Sequence, residues 1–406
     1  IGAALLELEQ NSRPARTIRR DDILPPPSSG KAYFYDPLDL TLSSYPDFDG
    51  LEHYDFPVRS GGRPVEVDIY RELTPGRSSS LSLGIDIGST STKAILIGPD
   101  RVPVAGLYTR TAGRPIVAVQ DIFETIDDIS KKHDHTFIID SIATTGSGRK
   151  FIGKLIGADL IMDEISAHAR AAVELDPEID TIIEIGGQDA KFTTLRKGVV
   201  TFSKMNTVCA AGTGSFIEEQ AQKLNVGLAE YSELARGARA PLSSDRCTVF
   251  MERDINHYLN KNYSVNEILA TVLFSVRENY LQKVASGGSI GKRVCFQGAT
   301  AKNKALVAAF EQKLKQPVFV SRYCHLTGAL GAAITAMEGI REKSGFCGIG
   351  IYRQEIPVRT EICDLCHNHC RIRIARVGEE EVAYGFLCGR DYNTKKFVKK
   401  ERIPSL

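Results

Sequence analysis

The 406-residue chain has no excess of charge: 51 Lys and Arg stand against 50 Asp and Glu, a formal net charge of +1. It therefore lacks the global field that grips nucleic acid or an acidic membrane, and no nucleic-acid partner is expected. It has no apolar run approaching the roughly 18–20 residues that span a bilayer. Its first ten residues carry acids where a secretory signal carries cations. An even, regular cysteine set is missing too. The nine Cys are odd in number and unevenly spaced, which argues against a disulfide scaffold and for metal or redox chemistry in a reducing, cytoplasmic setting. The rest is ordinary globular composition, 42% hydrophobic and 25% charged, at a length that predicts two or three domains.

Residues 11–80 read as a linker or arm, punctuated by Pro25-Pro26-Pro27, Gly61-Gly62 and Ser78-Ser79-Ser80. The aromatic and acidic part, Tyr33 to Phe56, suits an arm docked on a neighbouring surface. From Leu81 apolar strands alternate with helical patterns. Strands are expected at Leu83–Ile87, Lys93–Ile97, Thr136–Ile139, Thr181–Ile185 and Val294–Phe296. Helices are expected at Phe151–Leu155, Gly214–Leu224, Val265–Val284 and Lys302–Lys313. This predicts an α/β domain over 81–342, followed by a separate Cys-rich segment, 343–406.

Two hairpins carry the first chemistry. In Asp86-Ile87-Gly88-Ser89-Thr90-Ser91-Thr92-Lys93 a strand ends in an acid, a glycine lets the backbone approach an anion, and hydroxyls with backbone N–H groups follow. Asp86 suits a water-bridged Mg²⁺. Glu184-Ile185-Gly186-Gly187-Gln188-Asp189 repeats the logic, with Gln188 and Asp189 able to orient water and hold Mg²⁺. The bland reading of each is a tight hairpin with a solvent-facing acid. A third turn, Gly298-Ala299-Thr300-Ala301-Lys302, opens a helix and can approach a base or a phosphate. In this order the three motifs resemble the nucleotide-binding core shared by actin, sugar kinases and heat-shock chaperone ATPases. That resemblance implies two α/β lobes clasping ATP.

Cys209 and Cys247 each precede a helical run, and a thiolate at a helix N-terminus is a better metal ligand. Two such residues supply half of a four-ligand site; the alternative is a pair of buried or capping cysteines. Cys209-Ala-Ala-Gly212-Thr213-Gly214, then Cys247-Thr-Val-Phe, with Ile185-Gly-Gly-Gln-Asp upstream, resembles the activator ATPases of 2-hydroxyacyl-CoA dehydratases and the ATPase subunits of benzoyl-CoA reductase. Ala143–Arg149 and Glu164–Ala169 match as well. The resemblance spans about 81–340. It implies that two ATPase modules, in a homodimer or a tandem pseudo-dimer, share one [4Fe–4S] cluster, each giving two cysteines, here Cys209 and Cys247. It also implies that ATP hydrolysis drives a low-potential electron onto an acyl-CoA dehydratase or reductase in anaerobic metabolism. Glu184 stands where that family carries Asp, and Ser147 where it carries an aromatic residue.

Cys363, Cys366, Cys370 and Cys388 follow a C-x2-C-x3-C-x17-C spacing that suits Zn²⁺ or an iron–sulfur cluster. A Cys-rich module after the ATPase resembles the larger relatives of the family. Those relatives carry two ATPase modules in tandem. Ile1-Gly2-Ala3-Ala4-Leu5 echoes Leu330-Gly331-Ala332-Ala333-Ile334, so residues 1–10 are expected to be the tail of a preceding module. Cys295, Cys324 and Cys347 read as bystanders, and His168 as a core or hinge residue. The sequence thus predicts an ATP-dependent electron-transfer activase. Mg-ATP is placed on Gly88–Lys93, Gly186–Gly187, Gly212–Gly214 and Gly298–Lys302. The alternatives are a carbohydrate kinase and a regulatory ATP-binding module with structural zinc.

Overall fold

The computed structural model describes residues 33–42, 44–59, 61–206, 212–339, 344–363, 366–377 and 380–386. The first lobe holds β1 (Glu52–Phe56), β2 (Val65–Ile69), β3 (Arg77–Ile87), β4 (Ser91–Ile97), β5 (Pro103–Arg110), α1 (Pro115–Lys132), β6 (His135–Thr145), α2 (Arg149–Ile156), β7 (Leu160–Ile161) and α3 (Glu164–Leu175). Its seven-stranded sheet runs β1-β2-β5-β4-β3-β6-β7, antiparallel except where β6 pairs with β3 and β7. The second lobe holds β8 (Thr181–Ile185), β9 (Ala190–Arg196), β10 (Val199–Met205), α4 (Gly214–Lys223), α5 (Tyr231–Ala235), α6 (Thr248–Asn260), α7 (Val265–Asn279), β11 (Val294–Gln297), α8 (Lys304–Leu314) and β12 (Val318–Val320), and α9 (Thr327–Glu338) then returns to pack on β3, β4 and β6 of the first lobe. The five strands of the second lobe run β10-β9-β8-β11-β12.

These elements follow from their side chains. β8 is the fully buried run Thr-Ile-Ile-Glu-Ile, the pattern of a central strand covered on both faces. α7 starts on a capping box between Ser264 and Glu267, is buried continuously from Ile268 to Asn279, and packs in the second lobe's core. A π-helical turn, Tyr280–Val284, continues it. α9 is rich in Ala and Gly because it lies against backbone on two sides. A Cβ at Gly84 would stand 1.9 Å from the Ala329 carbonyl oxygen, and one at Gly331 would stand 1.8 Å from that of Ala167 in α3. Gly331→Ala is accordingly expected to destabilise the protein by about 3 kcal/mol or more, read as a lower denaturant midpoint at unchanged slope.

The stretch expected as a linker departs from that reading over its described part. Leu38 and Leu40 are buried in the core of the second lobe, and Tyr35 and Leu38 donate backbone hydrogen bonds to Ala240 and Ala238. The chain then crosses to the first lobe and adds β1 and β2 to the sheet edge. β3 itself begins at Arg77 rather than after residue 80. The proposed tail of a preceding module, residues 1–10, lies outside the described residues.

After α9, β13 (Val358–Ile362), β14 (Arg371–Val377) and β15 (Glu380–Tyr384) form a small antiparallel sheet. It docks on the first lobe, where the rings of Tyr384 and Phe151 stack at 3.9 Å and Tyr352 donates a hydrogen bond to Asp127. Among the described residues no helix is long and apolar enough to cross a membrane.

Candidate functional site

The two hairpins are built alike. In each, an acid on the first strand faces a lysine directly across the turn: Asp86 opposite Lys93 between β3 and β4, Glu184 opposite Lys191 between β8 and β9. Each turn closes with the same backbone bond, from the N–H of Gly88 to the carbonyl of Ser91 and from the N–H of Gly186 to the carbonyl of Asp189. The ion pairs measure 3.1 Å and 2.9 Å. Burial works to raise both carboxyls, but neighbouring charge outweighs it. Lys93 and then His168 hold Asp86 below the usual range, and His168 and then Lys191 do so for Glu184. Burial also works against the charge on Lys191, yet Glu184 and Glu164, each 2.9 Å away, hold its pKa well above the ordinary value. Four charged groups therefore stay ionised in a space shielded from water.

The tips of the hairpins meet, with Ser89 donating a 3.2 Å hydrogen bond to Gln188. A recess between them is lined by Gly88, Ser89, Gln188, Asp189 and Lys191. It opens into a cleft of about 650 Å³ between the lobes. Of the residues the sequence offered for nucleotide and Mg²⁺, Asp86, Thr90, Ser91, Lys93, Glu184, Gly186, Gly187, Gly214, Gly298, Ala299 and Lys302 line this cleft. Three expected binding residues line neither the cleft nor the recess. Thr92 is fully buried and its hydroxyl pairs with Thr111, because the alternation along β4 turns it to the opposite face from Lys93. Gly212 faces Asn279 and Thr213 is buried, so of that segment only Gly214 reaches the wall.

His168, read from the sequence as a core or hinge residue, stands in the wall with Nε2 3.5 Å from Glu184. Gln297 donates its amide N–H to the His168 carbonyl, so its oxygen accepts from the ring Nδ1–H. With Nδ1 so engaged, Nε2 is the ring nitrogen that faces the Glu184 carboxylate. The sequence assigns no role to Lys191 or Glu164, although each stands within a motif. The repeat of acid plus lysine seven positions on, in both hairpins, is the signal that marks Lys191.

The second hairpin grips a helix. The N–H groups of Gly214 and Ser215, opening α4, donate to the carbonyls of Gly186 and Gly187 at 2.8 and 2.9 Å. Across the cleft, Arg110 of the first lobe pairs with Glu218 of α4 at 2.7 Å. Cys209, five positions before α4, lies outside the described residues. Cys247 is the half-buried N-cap residue of α6. The buried Asn279 donates to the carbonyls of Asp245 and Arg246 at 2.6 and 2.7 Å, and its side-chain oxygen lies against Gly212. One side chain thus ties together the loop before Cys247 and the loop after Cys209. Val249 and Phe250, beside Cys247, are 72% and 40% exposed, an apolar surface fit for another protein. Cys295 and Cys324 are buried, and burial pushes both thiols up to about 12, as suits bystanders.

In the C-terminal module Cys363 and Cys370 flank the turn between β13 and β14 and share one small cluster, the N–H of Cys363 bonding the Cys370 carbonyl at 2.8 Å. Cys366 lies within that turn, and Cys388 is outside the described residues. Among the described residues no three His, Cys, Asp or Glu side chains converge as metal ligands.

The far side of the cleft holds His325, whose Nδ1 has no hydrogen-bond partner. Burial lowers its pKa to about 4, the Lys302 and Lys93 charges push the same way, and Asp68 opposes them. The folded-state value lies below the ordinary 6.5, so the unfolded chain takes up the proton first as pH falls. Its contribution to stability is present above pH 6.5 and is lost toward pH 4. Urea unfolding at pH 5 is expected to cost about 2 kcal/mol less than at pH 7 on this account, and a His325→Gln variant is expected to lose that difference.

A model of the BadF/BadG/BcrA/BcrD ATPase family matches residues 83–336. The activator of lactoyl-CoA dehydratase from Anaerotignum propionicum is 39% identical over 269 residues, which is 64% of this chain and 99% of that protein. The (R)-2-hydroxyglutaryl-CoA dehydratase activating ATPase of Acidaminococcus fermentans is 34% identical over 263 residues, 64% of this chain and 97% of that one. Two solved structures share the fold at 30% identity over 64% of the chain. One is component A of the Acidaminococcus fermentans (R)-2-hydroxyglutaryl-CoA dehydratase, at TM-score 0.57 over 98% of its own length. The other is the 2-hydroxyisocaproyl-CoA dehydratase activator of Clostridium difficile with bound ADPNP, at TM-score 0.54 over 94%.

Proposed function

The chain belongs to the BadF/BadG/BcrA/BcrD ATPase family, and from that premise we propose that it couples ATP hydrolysis to the delivery of a low-potential electron to an acyl-CoA dehydratase or reductase. The observation that carries the reading is the grip of the second hairpin on α4: the carbonyls of Gly186 and Gly187 hold the first two N–H groups of a helix that begins five positions after Cys209 in the sequence. Phosphates bound between Gly88–Ser91 and Gly186–Gly187 would press on that turn.

Asp86, Glu184 and Asp189 would hold Mg²⁺ directly or through water, and Gln188 would orient the attacking water. Lys93, which pairs with Asp86, would neutralise phosphate charge. Cys209 and Cys247 would supply half the ligands of a [4Fe–4S] cluster, the other half coming from a second ATPase module. Such a cluster supplies a one-electron donor of low potential. Cys247 is suited to such ligation. It is partly exposed, stands at a helix N-terminus that favours its thiolate, and adjoins the apolar Val249 and Phe250 where a second module can sit. Cys363, Cys366, Cys370 and Cys388 would bind zinc or a second iron–sulfur centre.

Protein purified without oxygen is the test. About four iron and four sulfide per pair of modules are expected at the shared site, with ATP turnover, and Cys209→Ser is expected to lose that iron while keeping the fold. A wild-type protein free of iron that phosphorylates a sugar would falsify the proposal.

A further inference from the structure

Two contacts of the small C-terminal sheet fall one short step from the first hairpin, although that sheet lies outside the family match at residues 83–336. Arg373 of β14 and Tyr384 of β15 stand directly opposite each other across the two strands. The Arg373 guanidinium donates to the Gly113 carbonyl at 3.1 Å, and the Tyr384 ring stacks on Phe151 of α2 at 3.9 Å. Ala375 and Val382 of the same strands are buried in the first lobe's own core, so the sheet is seated on that lobe and not merely tethered to it.

From Gly113 the step to the hairpin is Thr111. Its N–H donates to the Thr90 carbonyl at 2.9 Å and its hydroxyl to the Gly88 carbonyl at 2.8 Å, so one buried residue brackets the turn. From Phe151 the step is the start of α2. The Gly148 N–H donates to the Ile87 carbonyl at 2.9 Å, and a Cβ at Gly146 would stand 2.5 Å from the Asp86 carboxylate. The segments that hold the first hairpin are thus the segments that the C-terminal sheet holds.

We propose that Arg373 is a positioning residue for the nucleotide site, fixing the first hairpin for phosphate through Gly113 and Thr111, an inference that rests on the ATP-binding reading above. The backbone between those two residues supports it. Thr111–Arg114 is a turn closed by the Arg114 N–H on the Thr111 carbonyl at 2.8 Å, and both central residues, Ala112 and Gly113, have positive φ, +47° and +71°. Glycine adopts that conformation freely, but alanine does not, and Ala112 is exposed, with no burial to offset the strain. A strained turn of this kind persists where its surroundings fix it. Arg373 supplies that hold from outside, on the carbonyl of the second central residue. Without it the turn is free to relax to the ordinary right-handed form, which redirects the chain at Thr111 and loosens both bonds to the hairpin.

Hydrogen exchange without nucleotide and calorimetric titration with Mg-ATP, both on the full chain, test this. In Arg373→Ala the peptides covering Ile87–Thr92 and Thr111 are expected to exchange about tenfold faster, the scale of one hydrogen bond from a charged donor. The peptide covering Glu184–Lys191 in the second hairpin is expected to keep its wild-type rate. The unfolding midpoint is expected to stay, since Arg373 is exposed. Mg-ATP is expected to bind about tenfold more weakly. Arg373→Lys, which still offers a charged N–H donor, is expected to recover most of both losses. Unchanged exchange at the first hairpin in Arg373→Ala overturns the proposal, as does unchanged ATP affinity. Equally faster exchange at both hairpins also overturns it, because the sheet would then be a general prop of the fold. A wild type that fails to bind Mg-ATP overturns the ATP reading, and with it any phosphate role for Arg373. Wild-type binding that Arg373→Ala leaves intact overturns the positioning alone.

Discussion

Asp86→Asn is expected to lower ATP turnover by at least about 100-fold, the scale seen when one preorganised electrostatic partner of a developing charge is removed. Asp86 ends β3 with Lys93 3.1 Å away, and α9 begins so close to it that a Cβ at Gly328 would touch its carboxylate at 3.2 Å. The carboxylate pairs with Lys93, and on the proposed function it would also present negative charge to Mg²⁺. Asparagine keeps the shape and still accepts a hydrogen bond from Lys93, but its neutral amide fills neither electrostatic role. Breaking a fully buried ion pair costs about 3–5 kcal/mol. This pair borders an open cleft, so the stability loss should be well below that range, and unfolding should remain cooperative. Single-turnover hydrolysis, ATP affinity and urea unfolding measured together separate the effects. Normal turnover in a folded Asp86→Asn protein would remove Asp86 from the chemistry. Glu184→Gln is less clean, because Glu184 also compensates Lys191, which is 7% exposed and reaches only Glu164 otherwise.

Local pattern made one part of this molecule legible and left another hidden. The hairpin at Asp86–Lys93, the strand Thr181–Ile185 and the helix from Gly214 stand where apolar runs and glycine turns put them. Asp86 and Glu184, the acids that line the cleft, were legible because a strand end, an acid and a glycine turn are contiguous. His168 was not, because its neighbour Glu184 is set by the packing of α3 against the sheets and not by spacing along the chain. Thr92, Gly212 and Thr213 were misplaced for a related reason. A motif shows which segment approaches the nucleotide, but the alternation of side chains and the turn at Gly212, at φ +80°, decide which residues face it. The arm was hidden by its punctuation. Glu52–Phe56 and Val65–Ile69 are five-residue edge strands set among proline and glycine, and such strands acquire their stability from the sheet they join.

If Cys209 and Cys247 ligate a cluster as proposed, Asn279→Leu is expected to reduce its iron by about tenfold or more, with ATP binding largely kept. Residues that orient metal ligands without touching the metal change affinity by about 10–100-fold when replaced. Asn279 has that position. Its amide donates to two successive carbonyls, Asp245 and Arg246, immediately before Cys247, while its oxygen abuts Gly212 on the segment that follows Cys209. Leucine fills a similar volume but makes neither bond. Two carbonyls lose their donor at a cost of about 1–3 kcal/mol each if they stay buried, so the loop before Cys247 is expected to move into solvent instead. The fold should survive that movement, since α7 keeps its apolar faces in the core. Asn279→Asp is expected to act in the same direction, because an ionised carboxylate cannot donate and would repel both carbonyls. Iron and sulfide content on anaerobic protein, beside ATP affinity and urea unfolding of the same preparations, decides the matter. Loss of iron with ATP binding and cooperative unfolding intact marks Asn279 as the link between the two cysteine loops. Wild-type iron content in Asn279→Leu would mean that the loops hold their places without it, and that the rigidity needed at the site comes from the hairpin contacts of α4.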